Sequence, residues 1–257
     1  MTRMSSIRIA YQLLAVLLLL YGIIYGMMAT LPELPALQQS ARIMFYHVPM
    51  WFSMLTLMGM SLYHSIRLLL LMDPDRVQTE NPLLSDIRAT EAARIGVIFN
   101  ILGLATGIIW SRVSWAADRP SHEFSSWWAW DPIQVCALVG LLIYLAYFQL
   151  RASFKEPSQR ARIAAVYNIF AFATLIPLFF IVPKMFEGLH PTAAKGSFIF
   201  KKDQISNEFR LILYPTMLGF ILMGVWAYEL RTRLVHLALR LEEWRALRAY
   251  THQSSTR

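Results

Sequence analysis

Charged residues are scarce in this chain. Asp, Glu, Lys and Arg make up 16% of its 257 residues, whereas an average soluble domain carries about 25%. Hydrophobic residues make up 56%, and the mean hydropathy is +0.44. This composition excludes an ordinary soluble domain and indicates an integral membrane protein.

Cysteine is nearly absent, since Cys136 is the single one. One cysteine excludes an intramolecular disulfide, a CxxC pair and a CxxCH haem-attachment motif, so the chain is not itself a c-type cytochrome. The sequence also lacks a GxxxxGK[ST] phosphate-binding loop. Any nucleotide hydrolysis linked to its function must come from a partner, and we expect the chain not to be an enzyme.

The chain contains several long segments without charged residues. Six segments lack Asp, Glu, Lys and Arg over roughly the 17 to 25 residues that a helix needs to cross the hydrocarbon core: 9–32, 43–66, 95–111, 132–150, 163–183 and 211–228. Barrel strands would be about half as long and would alternate in polarity. We therefore predict an all-α membrane protein with six transmembrane helices in a single domain, residues 1–257. The first segment is too long for a signal-peptide core, so we expect it to be retained.

Lysine and arginine are divided unevenly between the two sides of this arrangement. Sixteen of the 24 lie at the two termini and in the second and fourth connections, and eight lie on the opposite side. Positive charge favours the cytoplasmic side of a membrane. We therefore predict that both termini are cytoplasmic and that residues 110–132, between helices three and four, face outward.

Residues 110–132, here called the Trp-rich segment, contain five of the eight tryptophans: Trp110, Trp115, Trp127, Trp128 and Trp130. With Trp51, six tryptophans lie toward the outer surface and two toward the inner one, whereas an aromatic belt populates both surfaces. Indole offers a broad apolar face and one N–H donor, which suits a flat, mostly apolar ligand with a polar rim. Asp131 followed by Pro132 predicts the N-cap and first residue of the fourth helix.

Three histidines lie on the predicted outer side: His47, His122 and His190. Haem requires an apolar surface for its macrocycle, imidazole for its iron and cations for its propionates. His47 and His190 could supply the axial nitrogens, and His122 competes for either position. The candidate cations are also expected anchors at the membrane surface: Arg42, Arg112, Arg119 and Lys184. Structural zinc prefers four Cys or His ligands, so a zinc site is disfavoured.

Other features receive structural interpretations. His47, two residues before Pro49, is predicted to lie at the start of the second helix. His64 lies seventeen residues further along, roughly 25 Å deeper, so the two histidines cannot share a site. The charged connection 71–94 is interpreted as a solvated loop and helix start. The tail 231–257 is predicted to be a basic amphipathic helix on the inner surface or on a partner.

Together these motifs closely resemble the haem-handling WWD family of membrane proteins, and within it the cytochrome c maturation protein C (CcmC) family of haem exporters. The resemblance rests on WWAWD at 127–131 with two tryptophans upstream, RIMFYHVP at 42–49 and GLHP at 188–191, and it covers nearly the whole chain. It implies that haem b binds non-covalently, as cargo, at the periplasmic face of the bacterial inner membrane. The implied axial ligands are His47 and His190. We expect the five tryptophans of the Trp-rich segment, Asp131, Arg42 and Arg112 to contact the haem.

The resemblance also implies partners. Members of the family pass haem to a periplasmic haem chaperone (CcmE-like) for c-type cytochrome biogenesis. They work in an ABC-type complex with an ATPase subunit (CcmA-like), a second membrane subunit (CcmB-like) and a small single-helix subunit (CcmD-like). Membrane lipid is a further expected partner, and nucleic acid is not.

This sequence departs from the family pattern at three places. Pro132, Ile133 and Gln134 follow WWAWD, where many relatives have a small residue and an arginine, and the lysine-bearing loop after His190 and the tail are long. These departures concern the partner contacts and the propionate site. Two alternative functions stay open: a cytochrome c haem lyase, whose members use further transmembrane histidines, and an electron-transfer subunit with haem b buried between membrane histidines.

Overall fold

The computed structural model describes residues 2–30, 38–73, 81–116, 127–190 and 205–255, and the regular structure within these ranges is helical. A 3₁₀-helix covers Gln38–Ile43. The α-helices of the described ranges are α1 (Thr2–Met28), α2 (Met44–Leu71), α3 (Pro82–Ala116), α4 (Pro132–Ala152), α5 (Pro157–Phe180), the short α6 (Val182–Met185) and α7 (Asn207–Ser255).

Six of these helical regions are long and apolar enough to cross a membrane, and each coincides with all or most of one of the six uncharged segments. The prediction of an all-helical multi-pass membrane protein is therefore confirmed. α1 exposes most of its apolar side chains, including Leu13 and Leu17. Such a surface is expected where lipid surrounds a helix, because lipid tails are as apolar as leucine.

The second helix lies at the centre of the bundle. α2 packs against α3, α5 and α7, while α1 packs on α7 and α4 on α5. Met54, Leu57 and Met58 of α2 are fully buried in the main core, together with Tyr144 of α4. We call the end of the bundle where α2 and α4 begin and α3 and α5 end the tryptophan end, and the opposite end the arginine end.

Two helix starts follow from an acidic residue placed before a proline. Asp131 caps α4, because its Oδ1 accepts a hydrogen bond from the Ile133 amide at 3.0 Å and Pro132 is the first helical residue. Glu156 caps α5 in the same way, accepting from the amides of the second and third residues after it. A side-chain oxygen at this position satisfies an amide that the helix leaves unpaired. The predicted cap at Asp131 is confirmed.

The predicted position of His47 at the start of the second helix is confirmed, whereas the predicted boundary of the tail is not. α2 begins at Met44, directly after the 3₁₀-helix, so Pro49 lies inside the helix. The tail is not a separate surface helix, because α7 continues without interruption from Asn207 to Ser255. The last residue in this helix that strongly disfavours helical structure is Gly224, so nothing after it ends the helix at the membrane boundary.

The interpretation of residues 71–94 as a solvated segment is wrong for its two helical carboxylates. Asp86 is buried and accepts two hydrogen bonds from Arg151 of α4, at 2.7 and 2.8 Å. Glu91 is also buried and pairs with Arg231 of α7 at 2.9 Å. Pairing offsets the cost of removing these charges from water. The arginine end is therefore tied together by ion pairs between helices.

Candidate functional site

A cavity of about 260 Å³ opens at the tryptophan end. Its walls come from α2, α3, α4, α5 and α6, together with the segment that follows α6. Most of the lining side chains are apolar or aromatic, as in many cofactor sites. The lining residues used below are His47, Trp51, Gly103, Gly107, Trp110, Trp115, Gln134, Lys184 and His190.

The cavity is lined by both histidines that were predicted from the sequence to act as a pair. His47 lies in the first turn of α2 and His190 lies after α6, yet both line the same space. His64, on the same helix as His47, instead donates to or accepts from the Tyr228 hydroxyl at 3.1 Å at the arginine end. The two α2 histidines therefore belong to different environments, as their spacing predicts.

Both ring nitrogens of His47 have hydrogen-bond partners. The Trp51 indole N–H donates to His47 Nε2 at 3.1 Å, and His47 Nδ1 lies 3.1 Å from the Thr106 hydroxyl oxygen. His47 and Trp51 are four residues apart, so they lie on one face of α2. Their rings meet edge to face, with centroids 5.8 Å apart.

Two glycines of α3 make room for this face of α2. A Cβ atom at Gly107 would lie 2.8 Å from His47 Cε1, and one at Gly103 would lie 2.9 Å from the Trp51 ring. Glycines four residues apart are known to let membrane helices approach closely. The pair therefore sets the positions of both rings by allowing the helix backbones to approach.

Asp131 joins the Trp-rich segment to His190. Its Oδ1 caps α4, while its Oδ2 accepts hydrogen bonds from the amides of Leu189 at 2.7 Å and His190 at 3.4 Å. The Trp110 ring also packs edge to face against the His190 ring, with centroids 5.8 Å apart. A single buried carboxylate thus fixes both the start of α4 and the backbone that carries His190.

The His190 imidazole is neutral at ordinary pH. Its burial lowers the pKa of His190 from about 6.5 to about 4, because burial disfavours the charged form. A neutral imidazole retains a lone pair for a metal. The ring therefore has the protonation state that an iron ligand needs.

The five tryptophans of the Trp-rich segment do not form one surface. Trp110 and Trp115 are buried and line the cavity, with ring centroids 5.9 Å apart. Trp127 and Trp130 are 64% and 82% exposed, and Trp128 packs edge to face on Trp130. The segment therefore provides two indoles inside the cavity and a second group outside it.

Polar atoms of the cavity wall are left without partners among the described residues. Trp110 Nε1 is a buried donor and Gln134 Oε1 a buried acceptor, and neither has a hydrogen-bond partner. Gln134 uses its other side-chain atom, Nε2, to donate to Ser111 at 2.9 Å. Buried groups of this kind normally find a partner. The cavity is therefore prepared for a ligand with polar as well as apolar atoms.

The nominated cations lie in three different places. Arg42 donates to the carbonyls of Gly26 at 2.7 Å and Ala29 at 2.8 Å, and so binds the end of α1. Arg112 stacks over the Trp127 ring at 4.5 Å, outside the cavity wall. Among the described residues, Lys184 is the cation that lines the cavity. Arg119 and the competing ligand His122 lie outside the described residues.

Several residues of this site were missed by the reasoning from sequence. Trp51 was counted only as an outer tryptophan, and Thr106, Gly103, Gly107 and Gln134 were given no role. A GxxxG spacing on α3 was the available signal, since it indicates close helix contact. The spacing alone does not predict which side chains of the partner helix pack against the two glycines.

Comparison with known proteins places the whole chain in one family. The sequence model of CcmC, Heme exporter protein C, matches residues 1–246. The Heme exporter protein C of Paracoccus denitrificans is 26% identical over 216 residues, which cover 82% of this chain and 79% of that protein. The protein of the same name from Rhodobacter capsulatus is 26% identical over 231 residues, 88% of this chain and 85% of its own length.

A shorter similarity connects the chain to a second group. The Cytochrome c biogenesis protein CcsA of Prochlorococcus marinus subsp. pastoris is 32% identical over 76 residues, which cover 30% of this chain and 21% of that protein. The similarity to CcsA is thus confined to a small part of each protein, whereas the match to CcmC extends over nearly the full length. The chain therefore belongs to the Heme exporter protein C family.

Proposed function

We propose that this protein binds haem in the cavity at the tryptophan end and delivers it for c-type cytochrome biogenesis. The observation that carries the proposal is the meeting of His47 and His190, two histidines distant in sequence, in one aromatic cavity. The names of the relatives called Heme exporter protein C support the proposal that the cargo is haem. His47 and His190 act as the axial ligands of the iron.

The chemistry of the cavity fits haem. No group of three or more Cys, His, Asp or Glu side chains that could hold a bare metal ion occurs in the described ranges. Two imidazoles are sufficient for a metal that already has four ligands in a macrocycle, as haem iron does. Trp110 and Trp115 supply apolar faces, while Lys184, Trp110 Nε1 and Gln134 Oε1 are available to polar groups at the porphyrin edge.

The exposed tryptophans extend the binding surface. Trp127 and Trp130 lie at the same end of the bundle as the cavity and present indole faces outside it. We place the iron and its ligands inside the cavity, and the outer part of the macrocycle against these indoles. Arg112, stacked on Trp127, then becomes the second cation available to a propionate.

Orientation and partners follow from the charge distribution and from the family. With both termini cytoplasmic, the cavity faces the periplasm of the bacterial inner membrane. The haem is b-type and non-covalent, and a periplasmic chaperone receives it. An ATPase subunit, a second membrane subunit and a small single-helix subunit complete the complex. The chain itself binds and transfers haem without catalysing a reaction on it.

The central experiment is a haem absorption spectrum of the purified chain in detergent. We expect a low-spin Soret band from two imidazole ligands, with loss or a shift of that band in both His47→Ala and His190→Ala. His64→Ala is the matched control, since His64 lies on α2 but bonds to Tyr228 at the other end of the bundle. Spectra that are unchanged in both ligand variants would remove the assignment.

The CcsA similarity provides an alternative function to test. A haem lyase would form thioethers between haem and the cysteines of a CxxCH peptide. Incubating the haem-loaded protein with such a peptide under reducing conditions, followed by denaturation and mass spectrometry, separates the two functions. We expect free peptide and free haem, and a covalent haem peptide would favour the lyase.

A further inference from the structure

His47 is held in one tautomer by its two hydrogen bonds. The Thr106 hydroxyl has a single proton, and its oxygen lies 2.8 Å from the Leu102 carbonyl and 3.1 Å from the Gly103 carbonyl, both of which can only accept. The hydroxyl oxygen therefore accepts from His47, and Nδ1 carries the imidazole proton. Nε2 is then unprotonated, which agrees with its role as acceptor of the Trp51 N–H.

The lone pair that iron would use thus already accepts a hydrogen bond from an indole N–H. Nε2 is the ring nitrogen of His47 with a free lone pair, and Trp51 donates to it at 3.1 Å. An iron–nitrogen bond and this hydrogen bond cannot share the lone pair. Iron can therefore bind His47 only after the Trp51 N–H has moved away.

Five residues of two helices are closely packed in this arrangement. Trp51 and His47 lie one turn apart on α2, and Gly103 and Gly107 lie one turn apart on α3 with Thr106 between them. A Cβ at either glycine would come within 3 Å of one of the two rings. The Trp51 side chain consequently remains next to His47, and its N–H can return to Nε2 when iron leaves.

We propose that Trp51 and Thr106 are positioning residues with opposite effects on haem. Thr106 keeps the proton on Nδ1 and so leaves Nε2 unprotonated, with a lone pair that iron can use, so it strengthens the iron–His47 bond. Trp51 donates a hydrogen bond to the same lone pair and so competes with iron for it. It therefore weakens the iron–His47 bond and favours release. This inference rests on the proposed function, because it assumes that His47 ligates the haem iron.

The ligand exchange balances without any redox change. On binding, the Nε2 lone pair forms the bond to iron, and the Trp51 N–H···Nε2 hydrogen bond breaks. On release, the iron–nitrogen bond breaks and the hydrogen bond forms again. The Nδ1 proton stays on His47 throughout, bonded to Thr106.

The test is the rate at which haem passes from the loaded full-length protein to excess apomyoglobin, followed by absorbance. Removing a competing hydrogen bond should strengthen haem binding by about 2- to 10-fold. We therefore expect Trp51→Phe to slow haem loss by about that factor. Thr106→Val should weaken haem binding by about 10-fold or more, as is usual for residues that orient a metal ligand. Thr106→Ser, which retains the hydroxyl, should restore the wild-type rate.

A second measurement separates positioning from a merely structural role. The Thr106 hydrogen bond makes the imidazole a stronger donor to iron, so Thr106→Val should raise the haem reduction potential and Thr106→Ser should not. Trp244→Phe is the matched control for removing an indole, since Trp244 lies near the far end of α7 and stacks with Arg248. It should change neither the rate nor the potential.

A double variant distinguishes failure of this inference from failure of the proposed function. If His47 is the ligand, Trp51→Phe should slow haem loss in the wild type and have no such effect in a His47→Ala background. Unchanged or faster haem loss in Trp51→Phe, with an intact His47 spectrum, would overturn the inference alone. A spectrum that does not respond to His47→Ala would overturn the proposed function.

Discussion

Helix α2 carries one histidine toward each end of the bundle, and the two have different surroundings. His47 lies on a cavity wall, where its Nε2 is paired with an indole. His64 packs between the rings of Tyr63 and Tyr228 and bonds to the Tyr228 hydroxyl at 3.1 Å. The same residue type on one helix therefore faces a cavity at one end and a helix contact at the other.

The polar groups around the two histidines differ in a similar way. At the arginine end, buried carboxylates pair with arginines of other helices, as in Asp86 with Arg151 and Glu91 with Arg231. At the tryptophan end, the cavity wall carries the unpartnered atoms Trp110 Nε1 and Gln134 Oε1. Paired groups fix helices in place, whereas unpartnered groups next to a cavity await a ligand. Unpartnered buried atoms also occur toward the arginine end, such as Ser85 Oγ, but among the described residues those of Trp110 and Gln134 are the ones that line the cavity.

The largest effect on stability is expected at the arginine end. Asp86→Asn leaves Arg151 buried without its carboxylate partner, and breaking a buried pair in this way typically costs about 3–5 kcal/mol. We expect a marked drop in the thermal unfolding temperature in detergent, while the protein that remains folded keeps the wild-type haem spectrum. Glu229→Gln, which weakens the solvent-accessible pairs with Arg8 and Arg233, should cost less than about 1 kcal/mol. Equal losses in the two variants would contradict the distinction.

A glycine at the tryptophan end should show the reverse pattern. Gly107→Ala places a Cβ 2.8 Å from His47 Cε1, so the imidazole must move. Overpacking of this kind costs about 1–3 kcal/mol, and we expect haem affinity to fall by about 10-fold in a titration. Gly59→Ala on α2 is the control, since its Cβ would meet Phe172 at an ordinary 4.0 Å. A Gly107→Ala variant with wild-type affinity would show that His47 does not need its present position.

Asp131 should affect both the fold and the cargo. Asp131→Ala removes the cap of α4, worth about 1 kcal/mol, and also the acceptor that holds the Leu189 amide at 2.7 Å. We expect partial loss of the two-imidazole haem spectrum, and Asp131→Asn, which keeps one oxygen acceptor, should lie between the alanine variant and the wild type.

The matched control is Glu156→Ala, which removes an equivalent cap from α5 at the arginine end. Its haem spectrum should equal that of the wild type. Should both variants lose the spectrum to the same extent, capping alone would explain the role of Asp131.

The smallest effect is expected at His64, the histidine at the arginine end. Tyr228→Phe removes the hydroxyl that bonds to His64, and a typical hydrogen bond contributes about 1 kcal/mol. We expect a slight drop in thermal stability and no change in the rate of haem transfer to apomyoglobin. A change in that rate comparable to the effect of Trp51→Phe would show that the two ends of α2 are coupled.

Features that depend on local sequence were predicted well. The six spans follow from runs without charge whose length matches the membrane, and the Asp131 cap follows from two adjacent residues. The meeting of His47 and His190 was predicted from the outward placement of both residues, with the Trp-rich segment between them in sequence. These inferences need only the order of the helices and the side on which each connection lies.

Features that depend on how helices face each other were not predicted. The five tryptophans were treated as one surface, yet Trp110 and Trp115 enter the cavity while Trp127 and Trp130 remain exposed. Asp86 was interpreted as solvated because it lies in a run of charged residues, and its partner Arg151 lies 65 residues away. Composition does not give the rotation of one helix against another, so neither the ion pairs nor the contact of Trp51 with His47 was visible.

Because α7 is unbroken, its length beyond the apolar run can be calculated from the number of residues. From Tyr228, where the apolar run ends, the helix continues for 27 residues to Ser255. At 1.5 Å per residue, this part of the helix is about 40 Å long, which exceeds the hydrocarbon thickness of a bilayer. The chain therefore carries a spacer as long as a small folded domain is wide. The other end of the same helix lies at the tryptophan end, where Phe209 packs on Phe45, so one continuous helix connects that end of the bundle with a segment far beyond the other.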